Sequence, residues 1–184
     1  MAKKVLTWGI AGGFVLFFWG FVDHALLPIG TAGFRTLPDD AGFLEFMSTR
    51  ALEAGIYVYP RIDLTAGDAE MKKWAEKAAS GPSGFIVHRP RGGTGMTPRL
   101  LVNELLSNIA CGIIAAFLVA QLRPMSFARR AACVTLLGVL AWAAVVFSEW
   151  NWYGFPVAYT LAAFADQGVG FALLGLLLAW AFKD

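Results

Sequence analysis

Charge is scarce in this chain. Asp, Glu, Lys and Arg make up 15% of its 184 residues, against about 25% in an ordinary soluble domain. That shortfall excludes a heavily solvated surface all round. A net charge of only +2 excludes the broad basic field that nucleic-acid binding requires. Histidine and cysteine are rarer still, with two of each. Cys111 and Cys133 both fall in apolar stretches, separated in depth by roughly 10 Å at the helical rise per residue. A disulfide needs Cα atoms within about 7 Å, so two free thiols are expected. No CxxC, HxxE or ExxH spacing occurs, and no Ser-His-Asp set or pair of haem-ligating histidines can be assembled. No catalytic residue, cofactor or metal site is therefore assigned.

Apolar side chains are abundant instead. They make up 58% of the residues, the mean hydropathy is +0.60, and the excess lies in four blocks: residues 5–27, 98–122, 131–152 and 156–182. Each is about 20 residues or longer, enough to cross a hydrocarbon core of roughly 30 Å. The expected fold is an all-α membrane protein, a four-transmembrane-helix bundle with a small α+β extracytoplasmic insert (28–97) between helices 1 and 2. The first block is too long for a cleavable signal sequence and is read as a retained span.

Orientation follows from the basic residues in short segments. Lys3 and Lys4 precede the first block, Arg123, Arg129 and Arg130 crowd the second loop, and Lys183 follows the last block. Four crossings put all of them on one side, read as the cytoplasm of a cell (inner) membrane. The third loop, WNWYGFP, has no Lys or Arg and carries the aromatic residues of an interfacial belt.

Within the insert, Pro38-Asp39-Asp40 reads as a helix start with an acidic cap. The run that follows, as far as Gly55, places Phe43, Phe46, Met47 and Ala51 on one face. IYVYP and GFIVH read as short strands, and DAEMKKWAEKAAS as a second helix with Met71, Trp74, Ala75 and Ala78 in line. The Gly-rich segment RPRGGTGMTPR leads into a helix capped by Thr97 with Pro98 at its first position. Arg89, Arg91 and Arg99 make it a candidate anion or lipid-headgroup site. A flexible basic turn against headgroups is the favoured reading, because the Lys-Ser/Thr ending of a nucleotide loop is missing.

The acids inside the apolar blocks carry most information. A carboxylate at a helix centre costs about 2.5–3.5 kcal/mol to insert, so each is a site hypothesis. Asp23 and Glu149 lie about 27 Å from the cytoplasmic start of their spans, Glu104 about 9 Å and Asp166 about 15 Å below the outer edge. All belong to the outer half. Glu104, Ser107, Asn108, Cys111 and Ala115 share one helix face. Asp23 is grouped with Gly20, Gly13 and Gly9, and Asp166 lies one turn from Gly170, so the acids are expected to point into the bundle. Asp23, His24, Glu104, Asn108, Glu149 and Asp166 are the candidate ion or polar cluster, with Asn103, Asn151 and Gln167 beside them.

Three functions compete. An accessory or assembly subunit of a membrane complex ranks first, its acids fixing helix packing. Ion or lipid binding through the acidic cluster ranks second, and a membrane-embedded enzyme last, since neither nucleophile nor ligand set is at hand. Four spans and no internal repeat argue against alternating access within one chain. The expected partners are the bilayer and either another protein or further copies of the chain.

Overall fold

The computed structural model describes residues 1–61, 63–90, 95–122 and 124–183. In chain order the elements are α1 (Ala2–Phe21), a π-helical stretch (Val22–Leu26), α2 (Asp40–Ser48), β1 (Gly55–Tyr59), α3 (Asp68–Ser80), β2 (Gly84–His88), α4 (Pro98–Gln121), α5 (Phe127–Tyr153) and α6 (Val157–Ala181). They form two units, Met1–Phe34 with Met96–Asp184, and Arg35–Gly95.

The first unit holds four helices long and apolar enough to cross a membrane, namely Ala2–Leu26, α4, α5 and α6. Their outward faces are apolar: Phe14, Leu136, Leu140 and Leu161 are each more than half exposed. A continuous surface of that kind needs lipid or a partner to cover it. Caps fix the helix starts. The Thr97 hydroxyl accepts from Leu100 N–H and the Ser126 hydroxyl from Arg129 N–H, each at 3.4 Å. Because Ser126 is the cap, α5 begins at Phe127 and not at Ala131, which draws Arg129 and Arg130 from the expected loop into the helix. Arg130 is buried, and its Nη1 donates to Ala179 O at 3.5 Å in the last turn of α6, where free carbonyls favour a cation. Gly154, left-handed at φ +69°, ends α5.

Glycine lets the helices meet backbone to backbone. A Cβ at Gly9 would stand 2.6 Å from Ile113 Cα, and one at Gly112 would strike Gly9 O, which defines the α1–α4 seam. Gly138 and Gly175 do the same between α5 and α6, where added Cβ atoms would lie 2.6 Å from Gln167 O and Ala131 O. The two pairs join through α1 and α6, while α4 meets α5 and α6 only slightly. Leu16, Ala115, Ala116, Val119, Val134, Leu174 and Leu178 form the buried core. At the terminal end, Trp8 packs edge-on to Trp180 at 5.2 Å and Lys4 lies 4.9 Å over the Phe182 ring. Both cysteines are free, as expected from the sequence.

The second unit pairs β1 with β2 antiparallel, from Gly55 opposite His88 to Tyr59 opposite Gly84. Asp39 caps α2 by accepting from Gly42 N–H at 2.9 Å. The helix stops at Ser48, short of the expected Gly55. The hydroxyls of Ser48 and Thr49 take the carbonyls of Glu45 and Phe46, each at 2.8 Å, and Ala51 turns to φ +49°. The anticipated apolar stripe is therefore shorter. Met47 is buried and Phe43 partly so, but Ala51 is exposed and Phe46 lies at the surface beneath the Arg50 guanidinium, 4.4 Å from the ring.

Candidate functional site

One stripe of α1, formed by Gly12, Leu16 and Trp19, faces α6. A Cβ at Gly12 would strike Leu174, and one at Gly170 would stand 3.0 Å from the Trp19 ring. Asp23 continues this stripe one turn beyond Trp19. The glycine grouping expected from the sequence is thereby corrected. Gly9 and Gly13 face Ile113 and Ile109 of α4, a Cβ on Gly20 would meet nothing within 4 Å among the described residues, and Asp23 lines a cavity with residues of α6. A widened turn begins there, with Leu27 N–H bonded to Val22 O five residues back at 2.9 Å.

Asp23 is wholly buried at 0% exposure. Beside it lies a cavity of about 170 Å³, lined from α6 by Tyr159, Ala162, Ala163, Asp166 and Gln167, from α5 by Val146, and from the segment after α1 by Ile29, Gly30 and Ala32. Small residues make the space. Backbone contacts hold the segment over it: Gly30 N–H donates to Asp23 O at 3.3 Å, and a Cβ on Gly30 would fall 2.6 Å from the His24 ring. Gly33, at φ +87°, passes so close to Tyr159 that a Cβ would stand 2.7 Å away, and Phe34 meets the Tyr159 ring edge-on at 6.1 Å. Only glycine fits that conformation and that approach.

Polar partners are unequally shared. Asp166 accepts twice from Trp19 Nε1, at 2.8 Å on Oδ1 and 3.0 Å on its backbone O. His24, with its side chain 61% exposed, sits at the rim with Nδ1 3.2 Å from Asp23 Oδ2 and 3.1 Å from Gly20 O. Among the described residues, both Asp23 carboxylate oxygens and Gln167 Oε1 are buried and accept no hydrogen bond. All three are acceptors. Burying such acceptors with only the exposed His24 ring beside one of them is costly, and the cavity leaves room for a species that supplies donors and positive charge.

The other expected members stand apart. Glu104 is exposed and accepts from Asn108 Nδ2 at 3.0 Å. It lies within electrostatic range of Asp166 but does not line the cavity, so the expectation that all the acids point inward fails for it. α4 meets α5 and α6 only slightly. Glu149 is partly buried, faces the Tyr159 hydroxyl and does not line the cavity either. Arg89 belongs to the second unit and Arg99 to the first, both exposed, and Arg91 lies outside the described residues. Among the described residues no group of three or more His, Cys, Asp or Glu could hold a metal ion.

Sequence reasoning missed the Trp19 donor and the roof formed by residues 29–34. Trp19 could have been found four residues before Asp23, on the same helix face. The roof had only the small residues Gly30, Ala32 and Gly33 to announce it. Comparison of the chain with protein-family models, with curated proteins and with solved structures gives no match, so the site is read from its own geometry.

Proposed function

We propose that this chain is an integral membrane protein that binds a small cation in the cavity beside Asp23 and Asp166. Its termini lie in the cytoplasm, and Arg35–Gly95 and the cavity lie on the outer side. The basic residues near the helix ends support that orientation, Lys3, Lys4, Arg129 and Lys183 among them. The observation that carries the binding reading is the fully buried Asp23, whose two oxygens accept no hydrogen bond among the described residues and meet only the rim imidazole of His24, 3.2 Å from Oδ2, beside an open volume. Below it the packing of Leu16, Leu174 and Leu178 is closed, which favours binding from one side over conduction through a single chain.

The test is melting of the full-length chain in mild detergent against a panel of cation salts at constant ionic strength. A cation at about a hundred times its dissociation constant stabilises by about 2.7 kcal/mol. For a chain of this size that is a rise of about 5–10 °C. Asp23→Asn should remove the rise and Glu104→Gln should leave it. No saturable shift with any cation would overturn the reading.

A second role is favoured by Glu104. A carboxylate on the outward face of a membrane helix calls for a neighbour that supplies donors, which supports an accessory subunit docking through the outer half of α4. Native mass spectrometry of the chain extracted from its own membrane tests this. A defined complex that Glu104→Leu weakens is expected, and a lone chain in both forms would contradict it.

A further inference from the structure

We infer that the cation is a small organic ammonium, one short apolar body carrying a primary amine; the inference rests on the cation-binding reading and narrows it. Three observations lead there. Among the described residues, the buried side-chain oxygens that accept no hydrogen bond are Asp23 Oδ1, Asp23 Oδ2 and Gln167 Oε1, three acceptors for the three donors of a primary ammonium, which would share Oδ2 with the His24 ring 3.2 Å away. The cavity measures about 170 Å³, against about 150 Å³ for a protein cavity that accepts benzene. A bare metal ion fills a small part of that volume, and the described residues offer no group of three His, Cys, Asp or Glu to hold one. The wall is also divided by chemistry. Asp23, Asp166 and Gln167 are polar, whereas Ile29, Ala162 and Val146 present only hydrocarbon. A hydrated inorganic ion would set its water against that hydrocarbon. An alkylammonium places its carbon there and its charge on the acids, with the Tyr159 ring as a further surface a cation favours.

The experiment uses the full-length chain in detergent with n-butylammonium chloride as the probe. Sodium, potassium and calcium chlorides at matched ionic strength are the inorganic comparison, and 1-butanol is the neutral one. The expected result is a saturable rise in melting temperature with butylammonium and none with the alcohol or the metals. Asp23→Asn should weaken the apparent affinity by about 10- to 100-fold, the effect of losing a charged hydrogen-bond partner. Ala163→Leu, which fills the wall while keeping every acid, should weaken it as well. That second variant decides the matter if Asp23→Asn does not fold. A saturable shift with a metal and none with butylammonium overturns the ammonium assignment and leaves the cation site standing. No shift with any cation overturns both. A butylammonium shift unchanged in Asp23→Asn and in Ala163→Leu places the amine elsewhere and overturns the inference.

Discussion

Trp19 and Asp166 make a close polar contact between α1 and α6, with the indole N–H shared between a side-chain and a backbone oxygen at 2.8 and 3.0 Å. Trp19→Phe keeps the ring and removes the donor, leaving a partly buried acid with one fewer partner. The expected loss is about 1–3 kcal/mol in the midpoint of denaturation in detergent. Combined with Asp166→Ala, the loss should be smaller than the sum of the single changes, as coupled neighbours require. A different acid gives a pH-dependent test outside the apolar helices. The Thr65 hydroxyl, at 2.7 Å, and then the Thr65 N–H, at 3.0 Å, hold the Asp63 carboxyl below the usual aspartate range. Its folded value is depressed, so its contribution is fully present above the ordinary value. It is lost as pH falls through the lowered one. Carboxyl titration followed by NMR should find Asp63 below the other exposed aspartates, and Thr65→Val should return it toward them. An unchanged titration in that variant would remove Thr65 as the cause.

At the scale of elements, the glycines separate contact from open surface. Gly112→Ala would push a methyl group into Gly9 O and to within 2.7 Å of Gly13 N, parting α1 from α4. Gly168→Ala meets nothing within 4 Å among the described residues. The first should cost about 1–3 kcal/mol; the second should be neutral or add up to about 1 kcal/mol through helix propensity. Equal effects in a denaturation assay would contradict the seam. Much at this scale was legible in the residues. Hydropathy located the four long helices, Thr97 and Pro98 marked the start of α4, and Asp39 marked that of α2. α3 and β2 fall where their periodicity placed them. Hydropathy blurred one start, because Ser126 caps α5 ahead of two arginines that look like loop. It also missed one end, because the hydroxyls of Ser48 and Thr49 stop α2 while its apolar pattern continues.

For the whole molecule, sequence depth set Asp23, Glu104, Glu149 and Asp166 toward one end of the helices, but the expected grouping did not sort them by direction. On a regular α-helix Asp23 lies about 20° from Gly12 and Leu16 and about 80° from Gly13, so the wheel itself favours the α6 stripe over the expected grouping with Gly9 and Gly13, and packing sets those glycines against α4 and Asp23 against α6. Glu104 looked equivalent on the wheel and is exposed, because which face of α4 its neighbours cover depends on packing that periodicity does not encode. The roof over the cavity was equally hidden, since it depends on Gly30 and Gly33 approaching residues distant in the chain. The account as a whole rests on Asp23 having a cation for company, and high-resolution native mass spectrometry of the full-length chain tests that most directly. The account predicts a low-mass cationic adduct in one-to-one ratio on the native chain, absent from Asp23→Asn and retained by Glu104→Gln. Native and Asp23→Asn chains of identical adduct content would contradict it.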